Sequence, residues 1–157
     1  YLIRVNPTTG DPIWAQLLNN QADLSGFPGF TGVYALDVDT NGAVYLTGGS
    51  RGTNLNYGSL SIFDPGSSGD SYGFLAKVEP ANGTAIWLKR LNRQGIGNSI
   101  AIDPTGNVLV GGAYFLPDYD ADAFVTTFDV DGINRIKKFS DEIDIHQING
   151  DVKRRIS

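Results

Sequence analysis

The chain has 157 residues, of which 41% are hydrophobic and 18% charged, and its formal net charge is −5. This balance is typical of a folded globular chain with a core and argues against a disordered one. The acidic net charge and the lack of a long basic stretch argue against nucleic-acid binding. The absence of cysteine excludes disulfides, thiolate metal sites and cysteine nucleophiles.

The first predicted element is a β-hairpin over residues 1–18, YLIRVNPTTGDPIWAQLL. Two short runs of alternating apolar residues flank a turn of the Pro-x-x-Gly type, which is typical of antiparallel strands. The sequence enters this apolar run at Tyr1, without a Met, a basic leader or an apolar leader segment. We therefore expect a section of a longer or processed protein. No apolar run approaches the roughly 20 residues that span a membrane.

A second hairpin is predicted over residues 34–49, YALDVDTNGAVYLTGG. Gly42 supplies the positive φ angle that a short hairpin turn needs. The run from Asp37 to Gly42 also matches the first six positions of a calcium loop, D-x-D-x-N-G. Position 12 of such a loop should be Glu but is Gly48 here, so the pattern favours a turn over a calcium site.

Residues 50–73 are rich in Gly, Ser and Asn and predict a long loop. Long loops often carry function. Tyr57, Phe63 and Tyr72 give this segment aromatic contact potential, so we regard these three residues as a candidate interaction loop.

Residues 74–91, FLAKVEPANGTAIWLKRL, repeat the first hairpin without a gap at an offset of 73 residues. Pro, Gly and Trp recur in the same frame, and Trp14 aligns with Trp87. We expect both rings to fill the layer between neighbouring sheets, where a Trp buries about 150–250 Å².

Residues 98–112, NSIAIDPTGNVLVGG, repeat the second hairpin, and Asp39 aligns with Asp103. The pair Gly48–Gly49 is aligned with Gly111–Gly112 in this comparison. A third copy of the first hairpin begins at Phe124, with Ile136 at the Trp position.

An acidic run precedes this third copy. Asp118, Asp120 and Asp122 present alternating carboxylates, and clustered hard oxygens are what calcium requires. Asp129 stands at position 12 of the run, but no Gly stands at position six. The three residues are a candidate calcium site, with a solvated acidic loop as the alternative.

Short strands that repeat every roughly 45–50 residues, without an amphipathic helical stripe, predict an all-β fold. Four antiparallel strands per unit are typical of β-propeller blades, and propellers need about four to eight of them. We predict one repeat domain with units 1–73, 74–123 and 124–157. It therefore holds about two and a half to three blades, in an open or fragmentary arrangement.

The run Asp122–Val125 followed by an Asp-Gly turn, the segment Asn98–Val108 and the pair Gly111–Gly112 resemble the bacterial β-propeller family known as SBBP repeats. Asn-Gly and Ile-Trp within residues 82–87 are similar to quinoprotein (PQQ) propeller repeats. The resemblance covers about residues 1–140 and departs at the 49–73 loop and over 141–157. It implies a bacterial protein located outside the cell, on its surface or in the periplasm.

No catalytic or cofactor-binding residue stands out. The chain has a single histidine, His146, and no G-x-S-x-G nucleophile motif. The repeat therefore predicts a noncatalytic structural or protein-interaction module, which binds a protein partner or itself through open blade edges. The alternatives are a fragment of a propeller enzyme (a quinoprotein dehydrogenase, lyase or hydrolase) and a carbohydrate-binding propeller.

Overall fold

A computed structural model describes residues 1–21, 29–63, 71–93, 95–115 and 121–134. Within these ranges the chain is all-β, as predicted, and forms no helix, so no helix there is long and apolar enough to cross a membrane. The strands are β1 (Leu2–Val5), β2 (Pro12–Gln16), β3 (Leu18–Asn20), β4 (Phe30–Val38), β5 (Val44–Arg51), β6 (Asn54–Tyr57), β7 (Leu60–Phe63), β8 (Ser71–Val78), β9 (Ala85–Arg93), β10 (Gly95–Ile102), β11 (Val108–Phe115) and β12 (Ala121–Phe128).

The predicted hairpins form. Strands β1–β2, β4–β5, β8–β9 and β10–β11 pair antiparallel. Two of their turns close in the same way, because the amide of Gly42 donates to the carbonyl of Asp39 and that of Gly106 to Asp103, each at 2.9 Å. These glycines have φ angles of 83° and 87°. Only glycine adopts such angles at little cost, which is why the Asp-x-x-Gly motif fixes the turn.

The hairpins combine into small antiparallel sheets, none of which closes on itself within the described residues. The largest has the order β4-β5-β8-β9. It therefore combines the second predicted hairpin, β4–β5, with β8–β9, which is the repeat of the first hairpin. The strands of this sheet lie within residues 30–51 and 71–93, and β8 begins before the predicted unit boundary at 73/74. The other sheets are β1-β2, β3-β6-β7 and β10-β11-β12.

The predicted loop 50–73 contains an additional hairpin, β6–β7. Leu55, Tyr57 and Ile62 are its buried side chains, and they alternate with more exposed ones as in a strand with one apolar face. This hairpin pairs with β3 and packs on the four-stranded sheet, because its apolar face needs a partner.

Two apolar clusters divide the described part of the chain into three layers. The first cluster joins β1–β2 and β3-β6-β7 to one face of the four-stranded sheet, with Leu2, Leu18 and Phe74 among its members. The second joins the opposite face of that sheet to β10-β11-β12, with Leu75 and Phe124 among its members. The four-stranded sheet is therefore the middle layer and contributes to a cluster on each face, while Leu36 and Val38 of its strand β4 stay 54% and 49% exposed.

The strand register corrects one detail of the predicted repeat. Gly48 pairs with Phe74, and Gly112 pairs with Phe124. Gly48 is therefore equivalent to Gly112 and not to Gly111, and the offset of 64 residues continues through the strand. Both hairpins have a register shift at the same place, which keeps the two copies in phase.

Candidate functional site

The two tryptophans make the same contact at successive junctions between layers. The indole N–H of Trp14 donates to the carbonyl of Pro80 at 3.0 Å, and that of Trp87 donates to the carbonyl of Val130 at 3.2 Å. Each acceptor is the second residue of a turn in the next layer, which starts at Glu79 in one case and at Asp129 in the other. The predicted position of both rings between sheets is confirmed, and both rings are half-buried there.

A basic side chain reinforces each of these contacts. The guanidinium of Arg4 donates to the Pro80 carbonyl, and the ammonium of Lys77 lies 3.4 Å from the Val130 carbonyl. Each basic residue lies directly opposite the Trp of its own hairpin in the strand register. The two donors therefore converge on one acceptor, and a hydrogen bond from a charged donor is stronger than a neutral one.

A turn glycine lies beneath each ring. A Cβ atom added to Gly83 would lie 2.5 Å from Cε3 of Trp14, and one added to Gly132 would lie 3.1 Å from Cε2 of Trp87. Gly83 and Gly132 also have φ angles of 76° and 72°. The positive φ angle favours glycine at both positions, and at Gly83 the approach of the Trp14 ring leaves no room for a Cβ atom.

Tyr57 ties the inserted hairpin to the first junction. Its hydroxyl donates to the carbonyl of Gly83 at 2.9 Å, next to the Nε2 of Gln16, which donates to the carbonyl of Asn82 at 3.1 Å. Burial raises the pKa of Tyr57 to about 12. The hydroxyl is therefore protonated near neutral pH and remains a donor.

The second junction contains further polar and aromatic contacts. The carboxylate of Asp37 accepts the backbone N–H of Ile102 at 3.0 Å and so links β4 to β10. The rings of Tyr45 and Trp87 meet edge to face with centroids 5.9 Å apart, and Nζ of Lys77 lies 5.1 Å from the Tyr45 centroid.

The acidic residues of the Asp-x-x-Gly turns act within those turns. Oδ1 of Asp39 accepts the amides of Asn41 and Ala43, each at 2.9 Å. Together with the bond from Asp37 to Ile102, this arrangement supports the turn interpretation of residues 37–42 over the calcium alternative. Nowhere in the described part of the chain do three or more His, Cys, Asp or Glu residues group as a metal site would require.

Asp103 makes the most extensive of these turn networks. Its carboxylate accepts the side-chain amide of Asn107 at 2.8 Å and the hydroxyl of Thr105 at 2.7 Å, as well as both backbone amides. The side-chain hydrogen bond from Asn107, followed by that from Thr105, lowers the pKa of Asp103 to about 2. The Asp103 side chain stays ionised and acts as the centre of the turn.

The structure does not describe the side chains of the candidate calcium residues. Asp118 and Asp120 lie outside the described residues, and so does His146. Asp122 belongs to β12, where only its backbone is described. The calcium site therefore stays a prediction.

The three residues of the candidate interaction loop have different surroundings. Tyr57 and Tyr72 are buried in the first cluster, and the ring of Tyr72 lies 5.0 Å from the guanidinium carbon of Arg90. Phe63 at the end of β7 is 64% exposed. Of the three, only Phe63 has an exposed ring, and an interaction role for this segment stays a prediction.

Apolar side chains are exposed on the outer side of β1–β2. Tyr1, Ile3 and Val5 are respectively 88%, 53% and 50% exposed, whereas their equivalents in β8, Phe74, Ala76 and Val78, are fully buried. We call the surface formed by Tyr1, Ile3 and Val5 the N-side face.

A corresponding surface lies on the outer side of β11–β12. Leu109 and Val125 are 38% and 68% exposed, whereas their equivalents Tyr45 and Leu75 are buried in the second cluster. Thr127 pairs with Leu109 and shares this surface. We call the surface formed by Leu109, Val125 and Thr127 the C-side face, and the two faces together are the candidate functional site.

Sequence reasoning did not find the acceptors at the internal junctions or the residues of the two exposed faces. The repeat aligned Arg4 with Lys77, but a basic residue in a strand gave no sign of its acceptor. An open apolar face is expected for so few blades, but its residues were not identified, because every copy of the repeat carries the same apolar pattern whether or not another sheet covers it. Only the position of a copy in the order of layers distinguishes a covered apolar face from an exposed one.

Comparison of the sequence with models of known protein families and with curated proteins finds no match.

Proposed function

We propose that this chain is a noncatalytic structural and protein-interaction module built from blades of the β-propeller type, in an exported or cell-surface bacterial protein. Successive layers made from equivalent hairpins support the blade interpretation, since propeller blades are four-stranded antiparallel sheets that pack in series. The outward location rests on the resemblance to SBBP repeats.

The observation that carries the interaction role is the contrast between equivalent residues. Tyr1 and Val125 are among the most exposed apolar side chains, whereas Phe74 and Leu75 at the same repeat positions are fully buried. A sheet of this repeat buries apolar side chains on both faces when it has neighbours on both sides. The outermost layers of the chain therefore each present one face suited to a further protein surface.

The use of the polar side chains is consistent with a structural role. Trp14, Trp87, Arg4 and Lys77 donate to turn carbonyls of the next layer. Asp103 is surrounded by donors from its own turn. These residues stabilise the repeat through hydrogen bonds to other groups of the same chain.

Site-specific photo-crosslinking tests the interaction role. A photoreactive amino acid at Ile3 or Val125, introduced into the chain in its native cell, should give adducts of discrete mass. The matched control is Ile86, which is 48% exposed on β9 but belongs to neither face. Adducts from Ile86 as strong as those from both faces, or none from either face, would contradict the proposal. A stoichiometric quinone in the purified protein, detected by visible absorbance, would favour the enzyme alternative instead.

A further inference from the structure

We infer that the N-side face of one copy of this chain binds the C-side face of a second copy, so that the chain associates head to tail. This inference rests on the proposed interaction role and names the partner for it. The interface would be heterologous, because the two surfaces are formed by different residues.

The chain itself contains two examples of this pairing. In the first junction, Leu2 and Leu18 pack against the side of the middle layer that carries Phe74 and Val78. Phe74 and Val78 are the equivalents of Tyr1 and Val5 on the N-side face.

In the second junction, Tyr45 and Leu75 pack against Val108, Phe124 and Phe128. Tyr45 and Leu75 are the equivalents of Leu109 and Val125 on the C-side face. Both junctions thus join a surface of the C-side type to one of the N-side type, and neither joins two surfaces of one type. The exposed C-side face and the exposed N-side face are therefore complementary, because they match the two surfaces that meet at each internal junction.

The turn at the N-side face also offers an acceptor of the recurring kind. Pro7 occupies the position of Pro80 and Val130, whose carbonyls accept a Trp and a basic residue at each internal junction. Gly10 has a φ angle of 78°, as at the other two turns, and no atom lies within 4 Å of the place its Cβ would occupy. The turn therefore has room for a side chain from another molecule where Gly83 holds the ring of Trp14.

The C-side face lacks both donors of the internal junctions, since Ile136 stands at the Trp position of the repeat. Thr127 stands at the position of Arg4 and Lys77 in the repeat, and it is too short to make the same reach to a turn carbonyl. The association should therefore be weaker than the internal junctions. A Thr127→Lys substitution should restore a charged donor for the Pro7 carbonyl and tighten association by about tenfold.

Sedimentation velocity over a range of concentrations tests the pairing. The unmodified chain should show a sedimentation coefficient that rises with concentration. Ile3→Asp and Val125→Asp each place a charge on one face and should weaken self-association by about tenfold or more. An equimolar mixture of these two variants should form a 1:1 dimer that grows no further, because each variant retains the face that the other has lost.

Ile86→Asp is the matched control, since it places the same charge on an exposed apolar side chain outside both faces. It should leave association unchanged, and circular dichroism with thermal melting should show that all variants are folded. A chain that stays monomeric at millimolar concentration would overturn the inference, as would a mixture that fails to dimerise. A dimer retained by Val125→Asp alone would indicate pairing of two N-side faces and would also overturn it. If the faces nevertheless crosslink to another protein, the proposed function survives and only the partner is wrong.

Discussion

Hydrogen bonds within a turn should determine how Asp103 responds to acid. Its pKa lies at about 2, below the ordinary 3.8, because Asn107 and Thr105 donate to the carboxylate. Folding favours the charged form, so this contribution to the free energy of unfolding is complete above about pH 4 and is lost as the pH falls towards 2. Asn107→Ala should raise the pKa of Asp103 towards 3.8 and shift acid unfolding to higher pH.

Carbon-detected NMR titration of the Asp103 carboxyl measures the first effect, and fluorescence at decreasing pH the second. Asn41→Ala is the matched control, because Asn41 belongs to the equivalent turn around Asp39 and makes no contact with Asp103 there. This control should leave the pKa of Asp103 unchanged. An Asn107→Ala variant whose Asp103 still titrates near pH 2 would refute the stated cause.

Close backbone approach should make Gly112 intolerant of a side chain. A Cβ atom there would lie 2.1 Å from the carbonyl oxygen of Ile96, just as one at Gly48 would lie 1.9 Å from that of Gly32. Since the obstacle is backbone, we expect Gly112→Ala to lower the free energy of unfolding by about 1–3 kcal/mol. Gly58→Asn serves as control in urea denaturation, because Gly58 has a φ of 60° and open space. The control should change stability by less than about 0.5 kcal/mol, and equal losses for both variants would argue against a steric cause.

At the scale of strands and hairpins, the Trp and the basic residue of one hairpin should act as a coupled pair. Trp87→Phe keeps an aromatic ring but removes the donor to the Val130 carbonyl, which should lower the free energy of unfolding by about 0.5–1.5 kcal/mol. Lys77→Met removes the second donor to the same atom. The two losses should be non-additive in a double-mutant cycle measured by urea denaturation.

The equivalent hairpin supplies the control for that cycle. Trp14 and Lys77 belong to different junctions, so Trp14→Phe combined with Lys77→Met should give additive losses. Additivity in the first cycle, or coupling of the same size in both, would show that the shared acceptor does not determine the stability of the junction.

The hairpins were predictable from the sequence because their determinants are local. Asp39 and Gly42 fix one turn, and alternating apolar residues on either side fix the strands. Which hairpin joins which was not predictable in this way. The pairing of β5 with β8 crosses residues 52–70, and it depends on burial that no local pattern encodes.

The inserted hairpin and the contacts of the two tryptophans were also only partly predictable from local sequence. Leu55, Tyr57 and Ile62 alternate as in a strand, but the surrounding Gly, Ser and Asn predicted a loop. Trp14 and Trp87 were predicted to lie between sheets, whereas their carbonyl acceptors were not. Those acceptors lie 66 and 43 residues further along the chain, and only the packed layers bring them together.

At the scale of the whole molecule, the described layers depend on one another unequally. The middle layer contacts both clusters, through Phe74 on one face and Leu75 on the other. The β1–β2 hairpin contributes Leu2 and half-buried Trp14 to one cluster only. In proteins built of stacked units, stability is approximately the sum of the units and their interfaces. An outer unit with one interface should therefore open more often than the middle one.

Native-state hydrogen exchange tests this gradient at concentrations where the chain is monomeric. Amides of β5 and β8 should exchange slowest and those of β1–β2 fastest. Leu2→Ala should accelerate exchange in β1–β2 and leave β10–β12 unchanged, because the change lies in the first cluster. Leu75→Ala, in the second cluster, should cost about 2–5 kcal/mol and accelerate exchange in β10–β12 as well as in the middle layer. If both substitutions raised exchange equally in every strand, the layers would unfold as one cooperative unit, and the exposed faces could not be treated as ends of a series.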